Sequence, residues 1–178
     1  MREIARAINA CGEAAYRDQA EENLKRAGDI ALVRRGVLRS VLIRCPCTCG
    51  ETLVINLDPR AGKAWRLLER AGKLTLYPSI WREGGCESHF IVWADRIIWC
   101  ERFELGNIEP PYDDSLEKRV AAILDPVRFQ TVEELARALD EIPWAVGRAA
   151  RRLVYHGIAA TGRGEKRDSF RRRAKAEG

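Results

Sequence analysis

The run Cys45-Pro46-Cys47-Thr48-Cys49-Gly50-Glu51 and the shorter segment Cys86-Glu87-Ser88-His89 hold four of the chain's six cysteines and one of its two histidines. Thiolate and imidazole groups converging from two separate loops suit a soft divalent metal, and zinc is the first choice. A disulfide framework is the main rival, but Cys45, Cys47 and Cys49 are too close in sequence to pair comfortably with one another. Burial as small hydrophobes suits Cys11 and Cys100 better than a Cys-Pro-Cys-x-Cys-Gly run. Cys45, Cys47, Cys49, Cys86 and His89 give one candidate ligand more than a tetrahedral site needs.

That surplus leaves two chemistries open. Four protein ligands would make the ion structural. Cys49, Cys86 and His89 with a bound water would instead leave Glu51 as general base of a zinc-dependent hydrolase, a spacing locally similar to that of zinc deaminases. Thiolates weaken zinc as a Lewis acid, so the catalytic version requires that Cys45 and Cys47 not both bind it. Ser79, after Pro78, is a second candidate for the catalytic site as a hydrogen-bond donor, unless it only caps a turn.

The elements that must position these residues read mostly as strands. Residues 30–34 and 37–43 flank Arg35-Gly36 as a hairpin, the second strand running into Cys45, and 52–57 leads away from Gly50. A straight strand would separate Cys45 from Cys49 by about 13 Å, so the run must bend, and Pro46 and Gly50 suit a bend. Residues 74–77, 89–93 and 97–100 read as further strands, with 78–85 as the loop that delivers Cys86. Residues 3–27, rich in Ala, Glu and Arg, have helical spacing through Ile4, Ala7, Ile8, Cys11 and Ala15. Asp58-Pro59 can open another helix ending at Gly72.

After a Pro-rich linker the pattern turns helical. Leu116, Val120, Ile123 and Leu124 share one face, Thr131 and Glu134 form a capping-box signature, and Pro143 opens a third helix that Gly157 ends. Followed by a short strand and a basic hairpin, this reads as a winged helix-turn-helix. The fold class is therefore α+β: an N-terminal helix (1–28), a small mostly-β zinc domain (29–106), a linker (107–114) and a winged-helix domain with a basic tail (115–178).

The net charge of +5 is concentrated at the end of the chain, where ten basic residues face three acidic ones from Arg148 onward. Arg148, Arg151 and Arg152 on the third helix, with Lys166 and Arg167 in the hairpin, are candidates for contact with DNA; docking on a partner protein is the alternative. No apolar run approaches the ~20 residues needed to cross a bilayer, and the N-terminus lacks a signal-peptide core, so no membrane partner and a cytoplasmic location are expected. Reduced thiols there favour metal over disulfide.

The motifs Arg44-Cys45-Pro46-Cys47-Thr48-Cys49-Gly50-Glu51, Leu76-Tyr77-Pro78-Ser79-Ile80, Cys86-Glu87-Ser88-His89-Phe90-Ile91 and Ile98-Trp99 together resemble a small bacterial family. Its members occur in operons for ubiquitin-like conjugation and are considered zinc-dependent peptidases. The resemblance covers about residues 30–104, with Thr48 where the family pattern has glycine. It implies a zinc cofactor, a peptidase activity that processes or removes a ubiquitin-like protein, and that protein as substrate. A non-catalytic zinc domain that positions a DNA- or protein-binding winged helix is the other reading.

Overall fold

A computed structural model of the protein describes residues 4–100 and 106–174. The chain divides into two compact units, Met1–Pro110 and Pro111–Gly178. No helix among the described residues is long and apolar enough to cross a membrane. The architecture is mixed α and β, dominated in the first unit by sheet.

The first unit contains two four-stranded sheets. One has the order β1-β2-β3-β4, from β1 (Asn9–Ala14), β2 (Asp29–Arg35), β3 (Val37–Arg44) and β4 (Thr52–Asn56). The other has the order β5-β6-β7-β8, from β5 (Arg66–Arg70), β6 (Lys73–Trp81), β7 (His89–Trp93) and β8 (Arg96–Trp99). Their inner faces share one core: Ile30, Val41, Ile43, Leu53 and Ile55 from the first sheet meet Leu76, Ile80, Phe90, Val92, Ile97 and Trp99 from the second. The period of two in a strand sends alternate residues to opposite faces. Ala31, Val33 and Leu42 therefore point the other way, where helix α1 (Arg17–Glu22) and the residues after it cover them with Ala20 and Leu24. This explains why residues 30–33 of β2 and 41–43 of β3 are continuously apolar, whereas β4, covered on one face, alternates in burial and leaves Val54 exposed.

Two expected helices are not formed. The span expected as one helix from 3 to 27 contains β1, paired parallel to β2, and only the six-residue α1. Residue 3 itself lies outside the described residues. In the Asp58–Gly72 span, Asp58 caps a 3-10 turn at Pro59–Ala61, and the chain then leaves as β5 to pair with β6.

The second unit places α2 (Asp114–Ile123), α3 (Val132–Leu139) and α4 (Pro143–Tyr155) around Leu116, Val120, Leu135, Val146, Ala150, Leu153 and Phe170. A three-stranded antiparallel sheet of order β10-β11-β9 closes it, from β9 (Gln130–Thr131), β10 (Ala159–Thr161) and β11 (Ser169–Arg172). Thr131 and Glu134 form the reciprocal capping box, which satisfies two amides at the start of α3. The end of the basic tail, 175–178, lies outside the described residues.

Candidate functional site

Cys45 follows β3 directly and is buried in the shared core. Its amide donates to the carbonyl of Glu51 at 2.8 Å, so the cysteine run is a closed loop between β3 and β4. The bend is tight: Thr48 N–H donates to the Cys45 carbonyl, and both Thr48 (φ 72°) and Gly50 (φ 88°) take left-handed backbone. Glycine adopts that region freely, a β-branched threonine does not. The loop after β6 is closed in turn by Arg82 N–H to the Ser88 carbonyl at 2.9 Å, and it presents Cys86.

The two loops bring four thiols together. The Sγ atoms of Cys45, Cys47, Cys49 and Cys86 all lie within 4.8 Å of one another, with Cys45 at 3.3 Å from Cys47 and 3.7 Å from Cys86. Tetrahedral zinc with Zn–S near 2.3 Å would hold its sulfurs about 3.8 Å apart, so the four thiols could hold such an ion. Ser88 is fully buried, and its Oγ lies 3.3 Å from Cys86 Sγ and 3.7 Å from Cys45 Sγ. Burial alone would raise the Cys86 thiol, but hydrogen bonding with Ser88 and with the neighbouring thiols brings it to about 7. Burial dominates at Cys45 and pushes it up.

His89, expected as one of the five candidate ligands and as a zinc ligand with Cys49 and Cys86 in the catalytic version, stands outside this group. It is the first residue of β7, and its Nε2 lies 3.1 Å from Ser79 Oγ on β6. The pairing between the two strands explains the meeting. Leu76 is opposite Val92, but the register shifts before Ile80 meets Phe90 and Trp81 meets His89. Tyr77, with its cis bond to Pro78, and Ser79 fall in that irregularity. A bulge of this kind re-aims side chains. Ile80 turns into the core, so Ser79 and Trp81 lie on the opposite face with His89. The Trp81 indole is 60% exposed and sits 5.8 Å from the imidazole.

Glu51, expected as a general base, is engaged elsewhere. Its Oε2 accepts from Arg82 Nε at 2.8 Å, an ion pair that ties the two cysteine-bearing loops together. Arg82 holds the carboxyl below its usual range, which makes Glu51 a weaker base.

The basic candidates all belong to the second unit. Arg148 and Arg152 stack on the Tyr112 ring at 5.3 and 4.0 Å, and Arg152 also approaches Glu117 at 3.4 Å. Arg151 is exposed and lies 3.8 Å from Asp168, Lys166 sits over Phe129 at 5.8 Å, and Arg167 is exposed.

Two arrangements escaped sequence reasoning. The Ser79–His89 pair spans ten residues and depends on the bulged register, although a serine and a histidine on successive strands are a usable signal. Ser88 was visible only as a neighbour of His89; its burial against the thiols requires the loop's fold.

The first unit thus holds a serine hydroxyl 3.1 Å from an imidazole and, separately, four thiols close enough to hold a metal ion. Residues 16–100 match the model of a family described as bacterial ubiquitination-like system serine protease (BubE), which leaves somewhat more than half of the chain outside the match. No curated protein and no solved structure matches the chain.

Proposed function

We propose that the first unit is a serine peptidase of a bacterial ubiquitin-like system, with Ser79 as nucleophile and His89 as general base and acid. The observation that carries this reading is the 3.1 Å contact between Ser79 Oγ and His89 Nε2. His89 Nε2 takes the proton as Ser79 Oγ attacks the scissile carbonyl carbon, forming the C–O bond of a tetrahedral species. The C–N bond then breaks as His89 returns the proton to the leaving amine. Water repeats the sequence on the ester: His89 removes its proton, the acid is released, and Ser79 recovers its hydrogen. The description of the matched family supports a serine protease of a ubiquitination-like system, and we infer from that setting a ubiquitin-like protein as substrate.

In this reading Cys45, Cys47, Cys49 and Cys86 hold zinc as a staple between the two loops. The ion would supply cross-linking and electrostatic anchoring, since four thiolates fill its tetrahedron and leave no place for a water. A zinc-dependent hydrolysis with Glu51 as base is disfavoured by the Glu51–Arg82 ion pair and by the position of His89. Cytoplasmic residence, where thiols stay reduced, belongs to the same proposal.

The test is cleavage of a C-terminal extension from a bacterial ubiquitin-like protein. Ser79→Ala is expected to slow it by about 10³-fold or more, and Glu51→Gln by no more than a few-fold. Full loss in Glu51→Gln with activity retained in Ser79→Ala would instead favour metal-bound water.

A second reading concerns residues 111–174. The order α2, β9, α3, α4, β10, β11, with β11 between β10 and β9, supports a winged helix. Arg151, Lys166 and Arg167 are exposed and would make the phosphate contacts, Arg151 exchanging its 3.8 Å approach to Asp168 for a phosphate. A fluorescent duplex that does not bind at low ionic strength would exclude DNA and leave a protein partner.

A further inference from the structure

The strand that carries Ser79 has an unused edge. β5 pairs with β6 only from Arg70↔Lys73 to Arg66↔Tyr77, so beyond Tyr77 no strand among the described residues flanks β6 on that side. The direction of the main-chain groups there follows from the ladder. Arg82 N–H donates to the Ser88 carbonyl, and Ile80 stands opposite Phe90 in the same register. In an antiparallel pair alternate residues turn both amide and carbonyl to the same side. Ile80 and Arg82 therefore face β7, while Ser79 and Trp81 face outward. The Ser79 carbonyl agrees with this, since it accepts from the Trp65 indole Nε1 at 3.2 Å.

Trp81 is left with its amide and carbonyl directed at an open edge, two residues from the Ser79 hydroxyl. Its side chain adds a second feature. The indole is 60% exposed, on the face where Ser79 meets His89. A large exposed aromatic beside a nucleophile, next to a short unpaired edge, suits a ligand that offers both a main-chain ladder and apolar contact. An extended peptide does both, because strand addition draws affinity from backbone hydrogen bonds and selectivity from alternate side chains.

We propose that the substrate binds as an extended peptide segment that adds a strand to the open edge of β6. It pairs its main chain with the N–H and C=O of Trp81, which carries its scissile carbonyl to Ser79, and it lays one side chain on the Trp81 indole. The proposed occupant is an unstructured tail or linker of a partner protein, which can run extended along this edge. The proposal rests on Ser79 being the nucleophile, and it adds how the chain to be cut is held and which residue recognises it.

Two probes separate the proposal from that premise. A small alkyl fluorophosphonate carries no peptide and reports only whether Ser79 is an activated nucleophile; mass spectrometry with Ser79→Ala as control locates the adduct. A tetrapeptidyl diphenyl phosphonate, with analogues N-methylated at one amide each, reports the edge. Both are used on the full-length wild-type protein.

The peptidyl probe is expected to label Ser79 faster than a diphenyl phosphonate without the peptide. N-methylation is expected to slow it by about fivefold or more at the amide that donates to Trp81, the worth of one hydrogen bond, and to have little effect at the adjacent amides. Uniform tolerance of N-methylation, equal sensitivity at every amide, or no gain from the peptide would overturn the added-strand proposal while leaving the nucleophile in place. Failure of the fluorophosphonate to label Ser79 would overturn both.

Discussion

Replacing Ser88 with alanine tests how the thiol cluster is stabilised. The Ser88 hydroxyl is fully buried, 3.3 Å from Cys86 Sγ and 3.7 Å from Cys45 Sγ, so no solvent molecule can take its place without rearrangement. With the thiols ionised on a metal, they could no longer donate to Ser88 Oγ, and the hydroxyl would donate to sulfur instead. A hydrogen bond to a charged acceptor contributes about 1.5–3 kcal/mol, and partners just outside a metal's ligands typically change affinity by about 10- to 100-fold. Alanine removes one oxygen and leaves a small hole, so folding should suffer little beside the metal. Ser88→Ala is thus expected to weaken metal binding by about 10- to 100-fold. The assay is cobalt loading, followed by the thiolate-to-metal absorption band and competed with a chelator of known affinity, with thermal melting of the metal-free protein as control. Wild-type affinity in a folded Ser88→Ala protein would refute the argument that this hydroxyl supports the cluster.

Two further outcomes follow from backbone and charge. Thr48→Gly relieves a left-handed threonine that costs about 1–2 kcal/mol, offset in part by about 0.5–1 kcal/mol of extra freedom in the unfolded chain. A net gain of about 0.5–1 kcal/mol is expected, read as a rise in Tm of about 2 °C; a fall in Tm would show that the threonine side chain earns its place. Asp29 is buried, and hydrogen bonds from Asn9 Nδ2 and from the Arg26 and Lys25 amides outweigh that burial and hold its carboxyl below the usual range. A depressed pKa stabilises the fold above the unfolded value of about 3.9, and this contribution is lost as pH falls through the folded value. The Tm difference between wild type and Asp29→Asn should therefore be largest near pH 6 and shrink on acidification toward pH 3. A constant difference across that range would refute the linkage.

Much of the sheet could be read directly from the chain because its causes are local. Residues 30–34 and 37–43 carry apolar side chains on both faces, the cysteine run interrupts them with bend-forming Pro46 and Gly50, and Thr131 and Glu134 announce α3 by their spacing. β1 was missed for a physical reason. It is a largely exposed edge strand with no apolar alternation, and its Ala, Glu and Asn residues adopt extended backbone because parallel pairing with β2 satisfies their amides. The thiol cluster was legible because ligand chemistry restricts residue types. The Ser79–His89 pair was not, because it is set by a register shift across a bulge, and no single residue encodes that shift.

The order in which the thiols occur has a consequence for biosynthesis. Cys45, Cys47 and Cys49 lie on the β3–β4 hairpin, whereas Cys86 lies 41 residues after Cys45, between β6 and β7. At a translation rate of about 5–20 residues per second, the first thiols wait roughly 2–8 seconds for the fourth. During that interval the nascent first sheet carries three of the four thiols without the fourth. A tetrahedral metal site can close only when the second sheet has emerged, and the strands that flank Cys86 are those that bring Ser79 to His89. If the four thiols hold a metal and Ser79 and His89 act as nucleophile and base, the two sites would be completed at the same late moment.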